Sequence, residues 1–392
     1  MSHAVKVKVE NLTKIFGRTP RSILPQLKKG VSKAKILQDS GHTVGIYNVS
    51  FEVLEGEIFV IMGLSGSGKS TLIRCLNLLN KPTEGKIWVD DEDVVKFDHK
   101  KLREYRQSRT AMVFQHFGLF THKTVLNNVV YGLEIKGIPL SKRMEIAQTT
   151  LESVGLQGWG DKYPSQLSGG MQQRVGLARA LATNPDILLM DEPFSALDPL
   201  IKREMQQELL DIQSKLKKTI IFITHDINEA FKLGDRVAIM KDGIIEQIGT
   251  PDEILEAPKN DYIKKFVQDI DRSRVLQAKN IMFKPSALIS LKDGLKVAIK
   301  EMEQSGISSI FVLDHERRLN GLITIDDALE GLRNNKTLKD ILTHDFFTTT
   351  PETYMQALIP LATETKYPIA VLDDQEKLLG IIVRVTVLSN LV

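Results

Sequence analysis

Residues 63–71 read Gly-Leu-Ser-Gly-Ser-Gly-Lys-Ser-Thr, and they leave a chain few ways to fold. Ahead of them stands the apolar run Ile58-Phe59-Val60-Ile61-Met62, of strand type. Behind them Leu72, Ile73, Leu76 and Leu79 recur at helical spacing. Strand, glycine loop and helix in that order make a phosphate-binding loop on an α/β sheet. Gly63, Gly66 and Gly68 allow the tight backbone that turns N–H groups onto oxyanions. Ser65, Ser67 and Thr71 complete the loop, and the helix N-terminus adds partial positive charge. Lys69 is expected to reach the β- and γ-phosphates, and the Ser70 hydroxyl to bind Mg²⁺.

A second strand-type run, 187–190, ends in Asp191-Glu192. A carboxylate at the end of a buried strand beside such a loop suits Mg²⁺, commonly through water. Asp191 takes that role, and Glu192, one residue on, is placed to polarise the attacking water. The β-branched run 219–224 ends at His225. A lone histidine is usually structural, but at the end of a third parallel strand near a nucleotide it is a candidate donor to the γ-phosphate. Gln115, after the run 111–114, carries an amide suited to orient a water or the metal. Residues 167–173 read Leu-Ser-Gly-Gly-Met-Gln-Gln; Ser168 is a good N-cap, and a helix from Met171 starts with free N–H groups.

These pieces stand in the order of the ABC transporter ATPase family, which the sequence resembles across residues 5–270. The resemblance puts Walker A on Gly63 to Thr71, the Q-loop on Gln115 and the signature on Leu167 to Gln172. Walker B falls on 187–192, the D-loop on Ser195 to Asp198 and the switch histidine on His225. It implies Glu192 as catalytic base, acting with His225 and Gln115, and Ser70, Gln115 and Asp191 around the metal. It also implies the fold: a P-loop NTPase of the ABC type, a mixed sheet with helices and a helical subdomain over 116–180. In that family two such domains sandwich two ATP molecules, so Ser168, Gly169, Gly170 and Gln172 of one copy face the γ-phosphate held by the other. Met171 stands where many members have Gln. Near the start, Val5, Val7 and Val9 alternate with Lys6, Lys8 and Glu10, the pattern of a half-exposed strand. Members then place an aromatic residue that stacks on adenine. Phe16 fits, with Tyr47, beyond an insertion, as its rival.

That insertion, 18–44, carries Arg18, Arg21, Lys28, Lys29, Lys33 and Lys35 with no acid before Asp39. It reads as a solvated basic helix, or alternatively as a contact for anionic headgroups. The insertion, the phrase at 56–64 and residues 191–206 resemble the glycine betaine/proline importer branch, which implies compatible-solute uptake.

The chain has 392 residues, enough for two domains. Its 42% hydrophobic and 26% charged content is ordinary for a globular protein, and a net charge of +3 is too small to imply nucleic acid. The one cysteine, Cys75, excludes an internal disulfide, fits a reducing compartment and is expected in the core. No apolar stretch approaches the roughly 20 residues of a membrane span, and no secretory signal is read. A transporter subunit of this kind takes its pore from separate transmembrane permease subunits, works with a substrate-binding protein or domain, and sits peripherally on the cytoplasmic face of the membrane.

After a linker at 258–277, whose Tyr262, Phe266 and Ile270 repeat every four residues as in a docked helix, the chain repeats itself. Val312-Leu313-Asp314 recurs as Val371-Leu372-Asp373, and Gly321-Leu322-Ile323 as Gly380-Ile381-Ile382, at one constant offset. Each copy, 278–336 and 337–392, reads as short strand, amphipathic helix, two strands around a charged turn, then helix. The doubled unit resembles an α/β tandem CBS module, which in many proteins binds adenine nucleotides and controls a partner domain. The family's Gly-h-h-Thr-x-x-Asp pattern, with h apolar, is kept by Gly321, Thr324 and Asp327. In the second copy Val383 and Thr386 replace the hydroxyl and carboxylate, and Arg384 stands beside them. An arginine there suits a phosphodiester. Among CBS-bearing osmolyte importers cyclic di-AMP is a known type of ligand, which implies a regulatory site of Ile381, Val383, Arg384, Thr324 and Asp327; the alternative is a purely dimerising module.

The implied function is an ATP- and Mg²⁺-dependent motor of an osmoregulatory importer, dimeric and gated by its CBS module. The alternatives are an importer for carnitine, choline or an amino acid, a soluble ABC ATPase acting on ribosomes or DNA, and a nucleotide sensor.

Overall fold

A strand in which every side chain is apolar belongs at the centre of a sheet covered on both faces. Three runs here are of that kind but for Asp191, Thr219 and Thr224 at their ends, and all their residues are buried: β3 (Ile58–Met62), β7 (Ile187–Asp191) and β8 (Thr219–Thr224). The computed structural model describes residues 4–268 and 271–390 and divides into two units, 1–269 and 270–392.

The first unit holds two sheets. Its other strands are β1 (Val5–Phe16), β2 (Thr43–Leu54), β4 (Glu84–Val89), β5 (Glu92–Asp93), β6 (Thr110–Val113), β9 (Arg236–Lys241) and β10 (Ile244–Gly249). The six-stranded sheet has the order β10-β9-β3-β8-β7-β6, parallel except for β10 at one edge. Its parallel strands therefore all end on one side, and the loops after β3, β6, β7 and β8 gather there. The antiparallel sheet has the order β2-β1-β4-β5. Val7, Val9, Phe51 and Val53 from it share one core with Phe59, Ile61, Ile221 and Ile223, around the helix Lys69–Leu76. Cys75 lies in that core, where burial pushes its thiol up to about 12.

The insertion joins β1 to β2, which pair with each other. It is not the single solvated helix expected. A short turn, Pro20–Ile23, and two helices, Leu24–Lys28 and Lys33–Ser40, bury Ile23, Leu27 and Ile36 against Ile15 and Val44. The small apolar face explains why the basic residues lie outside it. Helices Val125–Ile135, Leu140–Ser153 and Gly169–Ala182 form the helical part of the unit. The helix Asp261–Gln268 buries Ile263 and Val267. The expected Tyr262 and Phe266 flank that stripe, their rings tilted at 46° with centroids 5.7 Å apart, and Lys241 lies over the Tyr262 ring. Ile270, the third expected member, lies outside the described residues, as do 391–392 of the expected second repeat.

The second unit is a repeat in structure as well. β11 (Ile289–Ser290), β12 (Ser309–Leu313) and β13 (Leu319–Thr324) form one sheet. β14 (Thr348–Thr349), β15 (Ile369–Leu372) and β16 (Leu378–Ile382) form the other in the same arrangement. In each the first pair is parallel and the second antiparallel. Phe283 exchanges backbone hydrogen bonds with Ile381, and Leu322 with Thr343, so each repeat lends a segment to the other. Phe311, Leu322, Ala370 and Ile381 form a core shared by both. A unit this small gains stability from such doubling. Among the described residues of the whole chain, no helix is long and apolar enough to cross a membrane.

Candidate functional site

The loop after β3 turns through left-handed backbone at Gly63 (φ 155°) and Gly68 (φ 101°). A side chain at Gly63 would strike the Met240 carbonyl, and one at Gly68 would lie 2.6 Å from the Gly45 carbonyl oxygen, so both positions need glycine. Ser65 and Gly66 are exposed at the crest of the loop. Ser67 is buried, its hydroxyl without a hydrogen-bond partner. Lys69 is buried too. Its Nζ donates to Gly63 O at 2.8 Å and to Leu64 O at 3.2 Å, and stands 3.8 Å from Glu192 Oε1. Burial pushes this ammonium below its ordinary 10.5, against the pull of Glu192 and Asp191. A glycine-rich loop, an orphaned hydroxyl and a desolvated lysine fit a polyphosphate.

Ser70 donates to Asp191 Oδ1 at 3.1 Å, across from the end of β7. Asp191 is 2% exposed and also holds Arg74 Nη2 at 3.2 Å. Arg74 was not anticipated, although it follows Ser70 by one helical turn and shares its face. Glu192 has left-handed backbone (φ 46°), and its N–H donates to Ile223 O at 3.1 Å. That bend swings its carboxylate across the mouth of the loop. Oε2 lies 2.9 Å from His225 Nδ1, and Gln115 Nε2 donates to it at 3.5 Å. Lys69, Ser70, Gln115, Asp191, Glu192 and His225 thus converge from four strand ends. Ser70 and Asp191 offer two hard oxygens, with Gln115 nearby through Glu192. Among the described residues no three His, Cys, Asp or Glu cluster as a metal cage. One or two side-chain oxygens completed by substrate phosphates is how Mg²⁺ is usually held, and the residues fit it.

A side chain at Gly45 on β2 would meet Thr71 Cγ2 at 2.9 Å and Phe16 Cε2 at 3.0 Å, so Phe16 and Thr71 lie together beside the loop. Tyr47 packs instead beneath the insertion, against the cluster of Ile15, Ile23, Leu27, Ile36 and Val44.

Ser168 caps the helix Gly169–Ala182 by accepting from Met171 N at 3.4 Å, so the helix begins two residues earlier than expected. Gln172 donates to Leu167 O at 3.2 Å, and a side chain at Gly170 would collide with Ile201. Asp198 caps the helix Pro199–Leu216, accepting from Leu200 N and Ile201 N. Among the described residues, no hydrogen bond joins Ser168, Gly169, Gly170, Gln172 or Asp198 to the loop at 63–71. One turn beyond Asp198, Lys202 binds Asp226 Oδ2 at 2.7 Å and Glu229 Oε1 at 2.6 Å, immediately after His225. Burial opposes that charge, but the two carboxylates outweigh it and hold the Lys202 pKa above 10.5. Nothing in the spacing of these residues signals the contact.

In the second unit Ile381, Val383 and Arg384 line a cavity of about 720 Å³, with Phe283, Ser309 and Tyr367 among the other walls. Thr324 and Asp327, expected at the same site, are not among its lining residues. Thr324 Oγ1 donates to Asp327 Oδ2 at 2.6 Å and accepts from Asp327 N at 3.1 Å, capping the helix Ile325–Arg333.

Two family models match the chain: ABC transporter over residues 46–195, and CBS domain over 278–334 and 338–392. The chain is 52% identical over 387 residues to a glycine betaine/carnitine transport ATP-binding protein of Listeria monocytogenes, covering 98% of this chain and 97% of that protein. It is 49% identical over 380 residues to a glycine betaine transport ATP-binding protein of Bacillus subtilis, covering 97% of this chain and 91% of the relative. Among solved structures it is similar to a dimeric ATP-binding cassette in a post-hydrolysis state bound to ADP and Pi. That likeness has 34% identity and a TM-score of 0.54, over 62% of this chain and 98% of the other.

Proposed function

The chain belongs to the ABC transporter family as an ATP-binding subunit with tandem CBS domains, and from that premise we propose that it drives import of glycine betaine or a related compatible solute. It is an ATPase coupled to transport. The observation that carries the site is the convergence of Lys69, Ser70, Gln115, Asp191, Glu192 and His225 on one loop. Lys69 and the N–H groups of 63–71 hold the β- and γ-phosphates, and Phe16 stacks on adenine. Ser70, Asp191 and Gln115 would hold Mg²⁺, which would neutralise phosphate charge there. Glu192 accepts a proton from the attacking water, and His225, bonded to Glu192, fixes that carboxylate and faces the γ-phosphate.

Ser168, Gly169, Gly170 and Gln172 complete the site of a second copy, with Asp198 at the seam. Among the described residues no hydrogen bond ties them to their own loop, and this, together with the dimeric cassette the fold resembles, supports this reading. Closure of the dimer on ATP moves the permease subunits through the surface that includes Phe117 and Phe120, at the cytoplasmic face of the membrane; Val125, expected there too, is fully buried. Glu192→Gln should bind ATP, accumulate closed dimers and lose turnover by about 100-fold or more. Unchanged turnover rejects Glu192 as the base. Uptake of labelled glycine betaine into vesicles holding this chain and its membrane partners, with an amino acid as control, tests the substrate.

The CBS unit gates the motor. Ile381, Val383 and Arg384 bind cyclic di-AMP, the arginine supplying a charge-assisted contact to a phosphodiester. The exposed basic residues of the insertion contact anionic lipid, a contact that salt weakens by screening.

A further inference from the structure

The histidine of the site is not held by packing. The His225 side chain is 56% exposed, and among the described residues Glu192 is the one hydrogen-bond partner of its ring, at 2.9 Å. Where the ring points is therefore set by the backbone on either side of it. Thr224 ends β8, and Asp226 caps the helix Ile227–Leu233. Thr224 Oγ1 accepts from Asp226 N at 3.0 Å and donates to Glu229 Oε2. Asp226 Oδ1 accepts from Asn228 N at 2.9 Å and from Glu229 N at 3.4 Å. The turn thus carries two carboxylates three residues apart, and Glu229 is only 5% exposed. Two anions so close, one of them buried, are unfavourable unless a cation joins them.

Lys202 supplies that cation, with Nζ 2.7 Å from Asp226 Oδ2 and 2.6 Å from Glu229 Oε1. Asp226 therefore answers to two elements. One oxygen caps its own helix, and the other is held by the helix Pro199–Leu216. Lys202 stands on the first turn of that second helix, its N–H donating to the Asp198 carbonyl at 2.9 Å. The anchor is itself fixed, since Ile201 fills the space that a side chain at Gly170 would need. One turn further along both helices, Lys232 donates to Gln206 Oε1 at 3.2 Å. That contact joins the same two helices without touching the residues that flank His225.

We propose that Lys202 is a positioning residue for His225, tying the turn that carries it to the helix start at Asp198. This rests on the roles proposed above for His225 and Glu192 in hydrolysis. Lys202 acts through Asp226 and Glu229 and not on the nucleotide. Its loss is therefore felt in turnover and not in ATP binding, as for any contact that matters only in the transition state.

The test is steady-state ATP hydrolysis by the full chain with its permease subunits, beside the dissociation constant for ATP. Lys202→Met should lower kcat by about tenfold or more, because small displacements of a catalytic group are costly, and leave ATP affinity unchanged. Lys202→Arg should recover most of the loss. Gln206→Leu, which cuts the other contact between the two helices, should turn over as wild type. With the residual rate of His225→Ala as baseline, adding Lys202→Met should lower it no further. Wild-type kcat in Lys202→Met overturns the proposal. So does an equal loss in Gln206→Leu, which would make helix packing the cause, or a full further loss beside His225→Ala. If Lys202→Met does not fold, Lys202→Met with Glu229→Gln, which leaves no buried charge unpaired, decides by the same change in kcat. If His225→Ala itself turns over as wild type, the site reading fails and takes this inference with it.

Discussion

The two CBS repeats follow one path with different chemistry at the same helix start. Both hairpins turn through a left-handed residue, Arg317 (φ 66°) and Glu376 (φ 61°). In both an aspartate closes the turn: Asp314 Oδ1 accepts from Glu316 N and Arg318 N at 2.8 Å, and Asp373 Oδ1 from Gln375 N and Lys377 N at 2.9 Å. The repeats part company after β13 and β16. Thr324 caps the helix that follows it with Asp327. Val383 caps the helix Arg384–Ser389 with no side-chain hydrogen bond, and Arg384 goes to the cavity wall. Residues that shape the backbone are shared, whereas residues at the two helix starts are free to differ. One repeat uses them for stability, the other to present an apolar and cationic surface.

Three measurements would break or sharpen that contrast. The largest effect is expected at the cavity. Arg384→Ala should weaken cyclic di-AMP binding by about tenfold or more, the value of a charge-assisted contact, while Ile325→Ala, the matching position in the first repeat, should change it little. Equal affinity for wild type and Arg384→Ala, by calorimetry, removes the arginine from the site. A smaller effect is expected at the caps. Thr324→Val should cost about 1 kcal/mol in denaturant unfolding of the full chain. Val383→Thr combined with Thr386→Asp should restore a comparable increment in the other repeat, and failure to do so would mean the second helix start is held by something besides its cap.

The smallest effect concerns pH. Backbone N–H donation from Arg318 and Glu316, with some help from nearby positive charge, holds the Asp314 carboxyl below its ordinary 3.8 despite slight desolvation. A depressed carboxylate stabilises the fold at pH values above 3.8, and that contribution disappears as the pH falls through the lower folded value. The stability difference between wild type and Asp314→Asn should therefore be level near neutrality and shrink in acid. A difference that grows in acid would reverse the sign of this argument.

Much of the motor was legible because its signals are local. The glycines of 63–71, the carboxylate pair at 191–192 and the histidine at 225 each follow a strand that periodicity reveals. The constant offset in the second unit likewise announced two copies of one fold. Other features were hidden by distance along the chain. Arg74 meets Asp191, and Lys202 meets Asp226 and Glu229, only because the strand order brings those segments together. Thr324 and Asp327 carry a pattern that fits a ligand site and also fits a helix cap, and the hydrogen bond between them, which makes the cap, is seen only in the folded chain.

By itself the sequence determined the class of fold, the phosphate loop, the strand-end acids and the doubling of the second unit. Each depends on the conformations open to neighbouring residues: left-handed turns at glycine, caps at Ser, Thr and Asp, and apolar periods of two or 3.6. Tertiary structure alone decided that Phe16 rather than Tyr47 stands beside the loop. It also decided which side chains of the repeats line the cavity. Those outcomes turn on burial and on contacts between distant segments. Burial belongs to a residue's surroundings, and those exist only once the sheets have been ordered and packed.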